Sequence, residues 1–130
     1  MNRYVADTMA FVLWLEKRKM PTKTKEKFQL AEQGKAQIII PAFVFVELAY
    51  LSENNRINTT IHEAQYAVDT NKNIVEYPLS LETVKTAFEI DDIPELHDRL
   101  IAATAKHLSI EIITNDPEIE KSAHVRTVWR

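Results

Sequence analysis

The run Ala36-Gln37-Ile38-Ile39-Ile40 narrows the fold more than any other segment. A strand with one wet face alternates apolar and polar residues, whereas a strand covered on both faces is apolar nearly throughout. The run therefore predicts a central strand of a parallel sheet. Its surroundings repeat the theme. Tyr4-Val5-Ala6 reads as a short strand, followed by a helical segment bearing Phe11, Leu13, Trp14 and Leu15 that Pro21 interrupts. Lys23 to Glu32 reads as a charged helix with Gly34 at its C-cap. Pro41 opens a helix from Ala42 to about Ser52, on which Val44, Leu48 and Leu51 share a face. Further helices are predicted over Asn58 to Val68, from the N-cap Ser80 to Ile90, over the Ala-rich stretch His97 to Leu108, and over Pro117 to Ser122. Further strands are predicted at Ile74 to Leu79, Ile110 to Thr114 and Val125 to Val128, and Asp91 to Leu96 is a Pro-containing loop. Strands alternating with helices imply an α/β fold of three layers, α/β/α, around a mainly parallel central sheet. No repeat, linker or low-complexity tract divides residues 1–130, so a single domain is expected.

Composition excludes several chemistries. The chain has no cysteine, which removes disulfides, thiolate zinc sites and cysteine nucleophiles and fits a reducing compartment. Its single glycine, Gly34, leaves no loop of the kind that cradles a nucleotide phosphate. The formal net charge of -3 means that bulk charge does not attract nucleic acid, so a polyanion must be handled locally. The apolar stretch Ile38 to Leu51 is too short to span a membrane and contains Glu47, and Asp7 precedes any signal-peptide pattern. A cytoplasmic protein with no membrane contact is the expectation.

In an open parallel sheet, ligands bind beyond the carboxyl ends of the strands, so acids directly after apolar strands are candidate site residues. Asp7 follows Tyr4-Val5-Ala6, Asp116 follows Ile112-Ile113-Thr114 by one residue, Glu47 lies in an otherwise apolar helix, and Asp98 stands near the start of the Ala-rich helix. Asp7, Asp98 and Asp116 each have an alternative as a turn former or helix cap. Glu47, among Phe43, Val44, Phe45, Val46 and Leu48, must be paired or functional. Four carboxylates converging on one cleft repel one another, which divalent cations or protonation offset. All-oxygen ligation suits Mg²⁺ or Mn²⁺, and such an ion promotes phosphodiester hydrolysis. Thr8 and Thr114 are candidates for bonding Asp7, Asp116 or a phosphate. The basic stretch Lys17, Arg18, Lys19, Lys23, Lys25 and Lys27 is either an RNA-guiding surface or a solvated helical face. His62, His107 and His124 show no metal-ligand spacing.

These residues resemble the PIN-domain ribonucleases, in particular the VapC-like toxins of VapBC-type toxin–antitoxin pairs. Tyr4-Val5-Ala6-Asp7-Thr8 resembles the opening strand and first acid of that family. Ile40-Pro41-Ala42 leading to Val46-Glu47-Leu48 resembles its second acidic motif. His97-Asp98-Arg99-Leu100-Ile101-Ala102-Ala103-Thr104-Ala105 is similar to the third, and Ile112-Ile113-Thr114-Asn115-Asp116 to the fourth. The resemblance covers nearly the whole chain and implies a metal-dependent endoribonuclease that hydrolyses RNA phosphodiester bonds. It assigns Asp7, Glu47, Asp98 and Asp116 to a Mg²⁺- or Mn²⁺-binding cluster, with Asp7 and Asp98 as direct ligands. It also implies a homodimer silenced by a small antitoxin protein. Met9 departs from the polar residues relatives carry two positions after the first acid. Two rivals differ in class: a catalytically idle PIN-fold RNA-binding or protein-interaction module, and a phosphoryl-transfer domain with Asp7 as nucleophile. Met9, where the latter would need a second acid, counts against it.

Overall fold

A computed structural model describes all residues 1–130. It contains five strands and seven helices: β1 (Asn2–Ala6), α1 (Thr8–Leu15), α2 (Thr22–Glu32), β2 (Ala36–Pro41), α3 (Ala42–Glu53), α4 (Ile61–Asp69), β3 (Ile74–Tyr77), α5 (Leu81–Ala87), α6 (Leu96–Leu108), β4 (Glu111–Ile113), α7 (Pro117–Glu120) and β5 (Thr127–Val128). The strands form one sheet in the order β3-β2-β1-β4-β5, every pair parallel. The expected three-layer α/β/α architecture is the one found. Tyr4, Val5, Ala6, Ile38, Ile39, Ile40, Ile112 and Ile113 are all buried, as strands covered on both faces require.

Several boundaries differ from the sequence reading, each for a local reason. α1 begins at Thr8, directly beyond Asp7, whose side chain accepts the Ala10 N–H at 2.8 Å and caps the helix, but it ends at Leu15, well before Pro21, as Lys17 turns left-handed at φ +53°. α4 starts at Ile61, not Asn58. Thr60 and Glu63 form a capping box there, while the N–H groups of Asn58 and Thr59 donate to Glu16 Oε2 at the end of α1. β3 stops at Tyr77, before Pro78, and α5 gives way to a tighter turn after Ala87. α6 starts at Leu96, with Glu95 as its N-cap, so Asp98 lies in the first turn and is not the cap.

Gly34 ends α2 at φ +77°. Its N–H reaches the Ala31 carbonyl and that of Lys35 reaches Leu30, the paired bonds of a Schellman end. A Cβ there would meet only Asn73 Nδ2, at 3.6 Å, so the cost of a side chain is conformational. Gly34→Ala is expected to destabilise the fold by about 1 kcal/mol, read as a lower urea midpoint with unchanged slope. Lys17, Asn55 and Ser109 take the same left-handed conformation at the ends of α1, α3 and α6.

The strand order places a switch between β1 and β4. From β1 the chain moves to β2 and β3 on one side, then returns to β4 and β5 on the other. Such a reversal opens a crevice at the carboxyl ends of the two diverging strands. Ala6 pairs with Ile113 and the Asp7 N–H donates to the Ile113 carbonyl at 3.2 Å, so Asp7 and Thr114 emerge side by side at that crevice.

Candidate active site

A cleft of about 770 Å³ opens at this switch. Asp7, Thr8, Glu47, Asp98 and Asp116 all line it, joined by Asn115 and by apolar groups that include Met9, Ile57 and Trp129. Each acid arrives on a different element: Asp7 at the end of β1, Glu47 in the middle of α3, Asp98 in the first turn of α6, and Asp116 at the N-cap of α7. No lysine or arginine lines the cleft.

The carboxylates are held by specific partners. Asp7 Oδ1 accepts from the Ala10 N–H and Oδ2 from the Thr114 hydroxyl, while Thr114 Oγ1 in turn accepts the Asp116 N–H at 3.1 Å. The fully buried Thr114 thus ties the first acid to the fourth. Thr8 donates to Glu47 Oε1 at 2.6 Å, not to Asp7. Asp116 Oδ1 accepts the N–H groups of Glu118 and Ile119, and Glu95 Oε2 accepts the Asp98 N–H at 2.8 Å. His97 Nδ1 stands 3.3 Å from Glu95 Oε1 and 3.7 Å from Glu47 Oε2 at the edge of the group.

Charge crowding shows in the protonation energetics. Burial pushes Asp7 up to about 6; bonds from Thr114 and Ala10 oppose the rise, and the charges of Asp116 and Glu47 add to it. Asp98 is likewise pushed up to about 6, by burial first and then by Asp116, Glu95, Glu47 and Asp7. Burial raises Glu47 above its ordinary value, partly countered by Thr8 and His97. No three of the four acids bring carboxylate oxygens mutually within 4.8 Å. The bonds to Ala10, Thr114, Thr8 and the α7 N-terminus hold them apart, in the direction their mutual repulsion favours.

The family model of the PIN domain matches residues 4–125. The chain belongs to the PIN domain family. Among solved structures, VapBC2 from Rickettsia felis, bound to a DNA fragment from its promoter, is similar at 18% identity and a TM-score of 0.72. The alignment covers 98% of this chain and 99% of that one. DNA-bound VapBC from Salmonella typhimurium is similar at 17% identity and a TM-score of 0.72, with 98% of each chain covered. A toxin–antitoxin complex from Klebsiella pneumoniae is similar at 16% identity and a TM-score of 0.63, with 92% of each covered. At such identities the likeness is one of fold. No curated protein matches the sequence.

This PIN domain also holds a group the sequence concealed. Asp91, Asp92 and His124 bring potential ligand atoms within 4.8 Å of one another, a candidate acidic and histidine metal-binding cluster. The expectation that His124 lacks ligand companions is corrected: its partner Asp91 is 33 residues away, beyond any local spacing rule. In the geometry seen, both His124 ring nitrogens are engaged, Nε2 with Asp91 at 2.9 Å and Nδ1 with Lys106 Nζ at 2.6 Å. Asp92 accepts from Ser122 and from the Ala123 N–H, so the cluster already pins the loop after α7 to the loop before α6. Ligation through His124 Nε2 would replace its contact with Asp91 and leave the bonds to Asp92 in place.

The basic stretch falls outside the acidic cleft. Lys17, Arg18, Lys19 and Lys25 line a separate groove of about 1120 Å³ with Trp14, Phe28 and Tyr66, beyond the far end of α1. Arg18 is paired with Glu16 at 2.6 Å and Lys27 with Glu26 at 3.5 Å. The sequence reading missed Trp129, which lines the cleft, and Glu95, which caps the helix that carries Asp98. A glutamate is an uncommon cap, and Trp129 reaches the cleft only because β5 lies beside β4. No helix is long and apolar enough to cross a membrane.

Proposed function

We propose that this PIN domain is a metal-dependent endoribonuclease acting as the toxin of a VapBC-type toxin–antitoxin pair. The observation that carries the proposal is the convergence of four acids from four elements on one cleft that no lysine or arginine lines. An oxygen-only donor set with a high density of negative charge fits a hard divalent ion. Mg²⁺ retains several waters and takes one or two carboxylates directly, so three carboxylates in mutual contact are not required. Asp7 and Asp98 are assigned as direct ligands of Mg²⁺ or Mn²⁺, with Glu47 and Asp116 direct or through water. Bound there, the ion supplies Lewis-acid polarisation of a phosphodiester and a more acidic water.

The chain's own residues prepare the cleft. Thr114 fixes Asp7 against the Asp116 backbone, Thr8 fixes Glu47, and Glu95 orders the turn that presents Asp98. Thr8, on the cleft wall, donates its one hydroxyl proton to Glu47, so a contact of Thr8 with a substrate phosphate goes with release of that bond; Thr114, fully buried, acts on the carboxylates from beneath. The substrate class is RNA, processed in the cytoplasm. Val46 and Tyr50, 60% and 67% exposed on α3, offer an apolar face for a second copy of the chain, and a small antitoxin protein is the partner that restrains activity.

The test is incubation of end-labelled single-stranded RNA with the protein in Mg²⁺ or Mn²⁺, in EDTA, and with Asp98→Asn. Cleavage is expected only for the parent protein with metal. Cutting that survives either change rejects the mechanism, and RNA binding without cutting leaves the idle RNA-binding module as the better account.

A further inference from the structure

We propose that Trp129 is the stacking surface for a nucleobase of the RNA strand that enters the carboxylate cleft, an inference that rests on the RNA reading of that site. Trp129 lines the same cleft as Asp7, Asp98 and Asp116. With no lysine or arginine on the cleft walls, the side chains offer single-stranded RNA no positive charge of their own beside a bound metal ion, and an aromatic face is a sequence-tolerant further source of affinity. Met9, 46% exposed on the same cleft, extends the apolar surface where a polar residue would have favoured water.

The indole is held in place although β5 has only two residues, Thr127 and Val128. The Trp129 carbonyl accepts both the N–H of Thr24, at 3.2 Å, and its hydroxyl, at 2.6 Å. Thr24 is fully buried in α2, so this double bond to one carbonyl anchors the strand end from the neighbouring layer. The contrast with the other tryptophan is informative. Trp14 is stacked on Phe11 and on Phe28, with centroids 6.2 and 5.7 Å away, whereas Trp129, likewise partly buried and packed against the core, has no aromatic ring against it. A platform anchored at its backbone and partly exposed in the cleft loses little freedom when a base docks on it.

The test uses Trp14→Phe protein, in which Trp129 is the sole indole, with Ca²⁺ in place of Mg²⁺, so that the negative charge of the cleft is offset while the larger ion's looser geometry slows hydrolysis of the RNA. A short single-stranded oligoribonucleotide is expected to quench Trp129 fluorescence, and an abasic oligomer of equal length to leave it unchanged. Trp129→Ala is expected to weaken RNA binding about tenfold and Trp129→Phe to retain most of it. Absence of quenching by the oligoribonucleotide, equal quenching by the abasic oligomer, or unaltered RNA binding by Trp129→Ala overturns the proposal. Quenching by a basic apolar peptide but not by RNA also overturns it, in favour of a protein partner. Base-dependent quenching in a protein that cuts no RNA with Mg²⁺ upholds the stacking surface and removes the nuclease reading, so the two fail separately.

Discussion

Asp7→Asn protein is expected to lose metal-dependent RNA cleavage by a hundredfold or more and yet to melt at a higher temperature than its parent in EDTA at pH 8. The two effects share a cause. Asp7 is 7% exposed, faces the charges of Asp116 and Glu47, and is pushed up to about 6, so keeping it ionised in the folded state is costly. Asparagine preserves the shape and can still accept the Ala10 N–H, but it carries no charge to hold an ion. The full shift corresponds to about 3 kcal/mol, and loss of the charge-assisted bond from Thr114 reduces the net gain to about 1–2 kcal/mol. That amounts to a rise of roughly 3–8 °C by calorimetry. Thr114→Val is the opposing control: it removes a bond to Asp7 and strands the Asp116 N–H, so it should lower stability. An Asp7→Asn protein that melts below its parent without metal would contradict the charge cost assigned to Asp7.

Acidification from pH 7 to pH 5 is expected to stabilise the metal-free protein. Asp7 and Asp98 have folded-state values near 6 against an ordinary 3.8, so the folded state binds their protons more tightly than the unfolded chain. Their favourable contribution is complete below about 3.8 and is lost as the pH rises through about 6. Asp7 alone accounts for up to about 3 kcal/mol of this window. Glu16 acts in the opposite sense. Burial raises it, but hydrogen bonds from Thr59 and Asn58 outweigh burial and hold it below 4.5, so its contribution is present above that value and fades with stronger acid. The urea midpoint in EDTA should therefore climb between pH 7 and pH 5 and fall again in stronger acid. Mg²⁺ should flatten the climb, because it binds the ionised carboxylates, and Asp7→Asn should remove most of it. A midpoint that falls steadily from pH 7 downward would refute this account.

Much of the architecture was readable because it rests on periodicity. The unbroken Ala36 to Ile40 run, the strand before Asp7 and the Ala-rich helix after Pro94 each state their layer directly, and the parallel order follows from the alternation. That Asp7 and Asp116 share one edge was readable because each closely follows a strand of a parallel sheet, whereas the addition of Glu47, in the middle of α3, and Asp98, in the first turn of α6, came from the family resemblance. Thr114 was a candidate partner of the acids from its place at a strand end, and it does bond Asp7. What stayed hidden depends on contacts across the fold: Thr8 holding Glu47 and Glu95 capping the turn of Asp98 follow from packing rather than spacing. The Asp91, Asp92 and His124 group and the arrival of Trp129 at the cleft need the pairing of β4 with β5, which has no local signature. The start of α4 shifted because Thr60 and Glu63 formed their own capping box three residues along.

The bond between Thr114 and Asp7 joins residues 107 positions apart, and it forms only when β1 and β4 pair in the correct register. On a ribosome, the first acid is made 107 residues before the hydroxyl that holds it. A nascent chain that has not yet reached Thr114 therefore has no assembled cleft, whatever else of the fold has already formed.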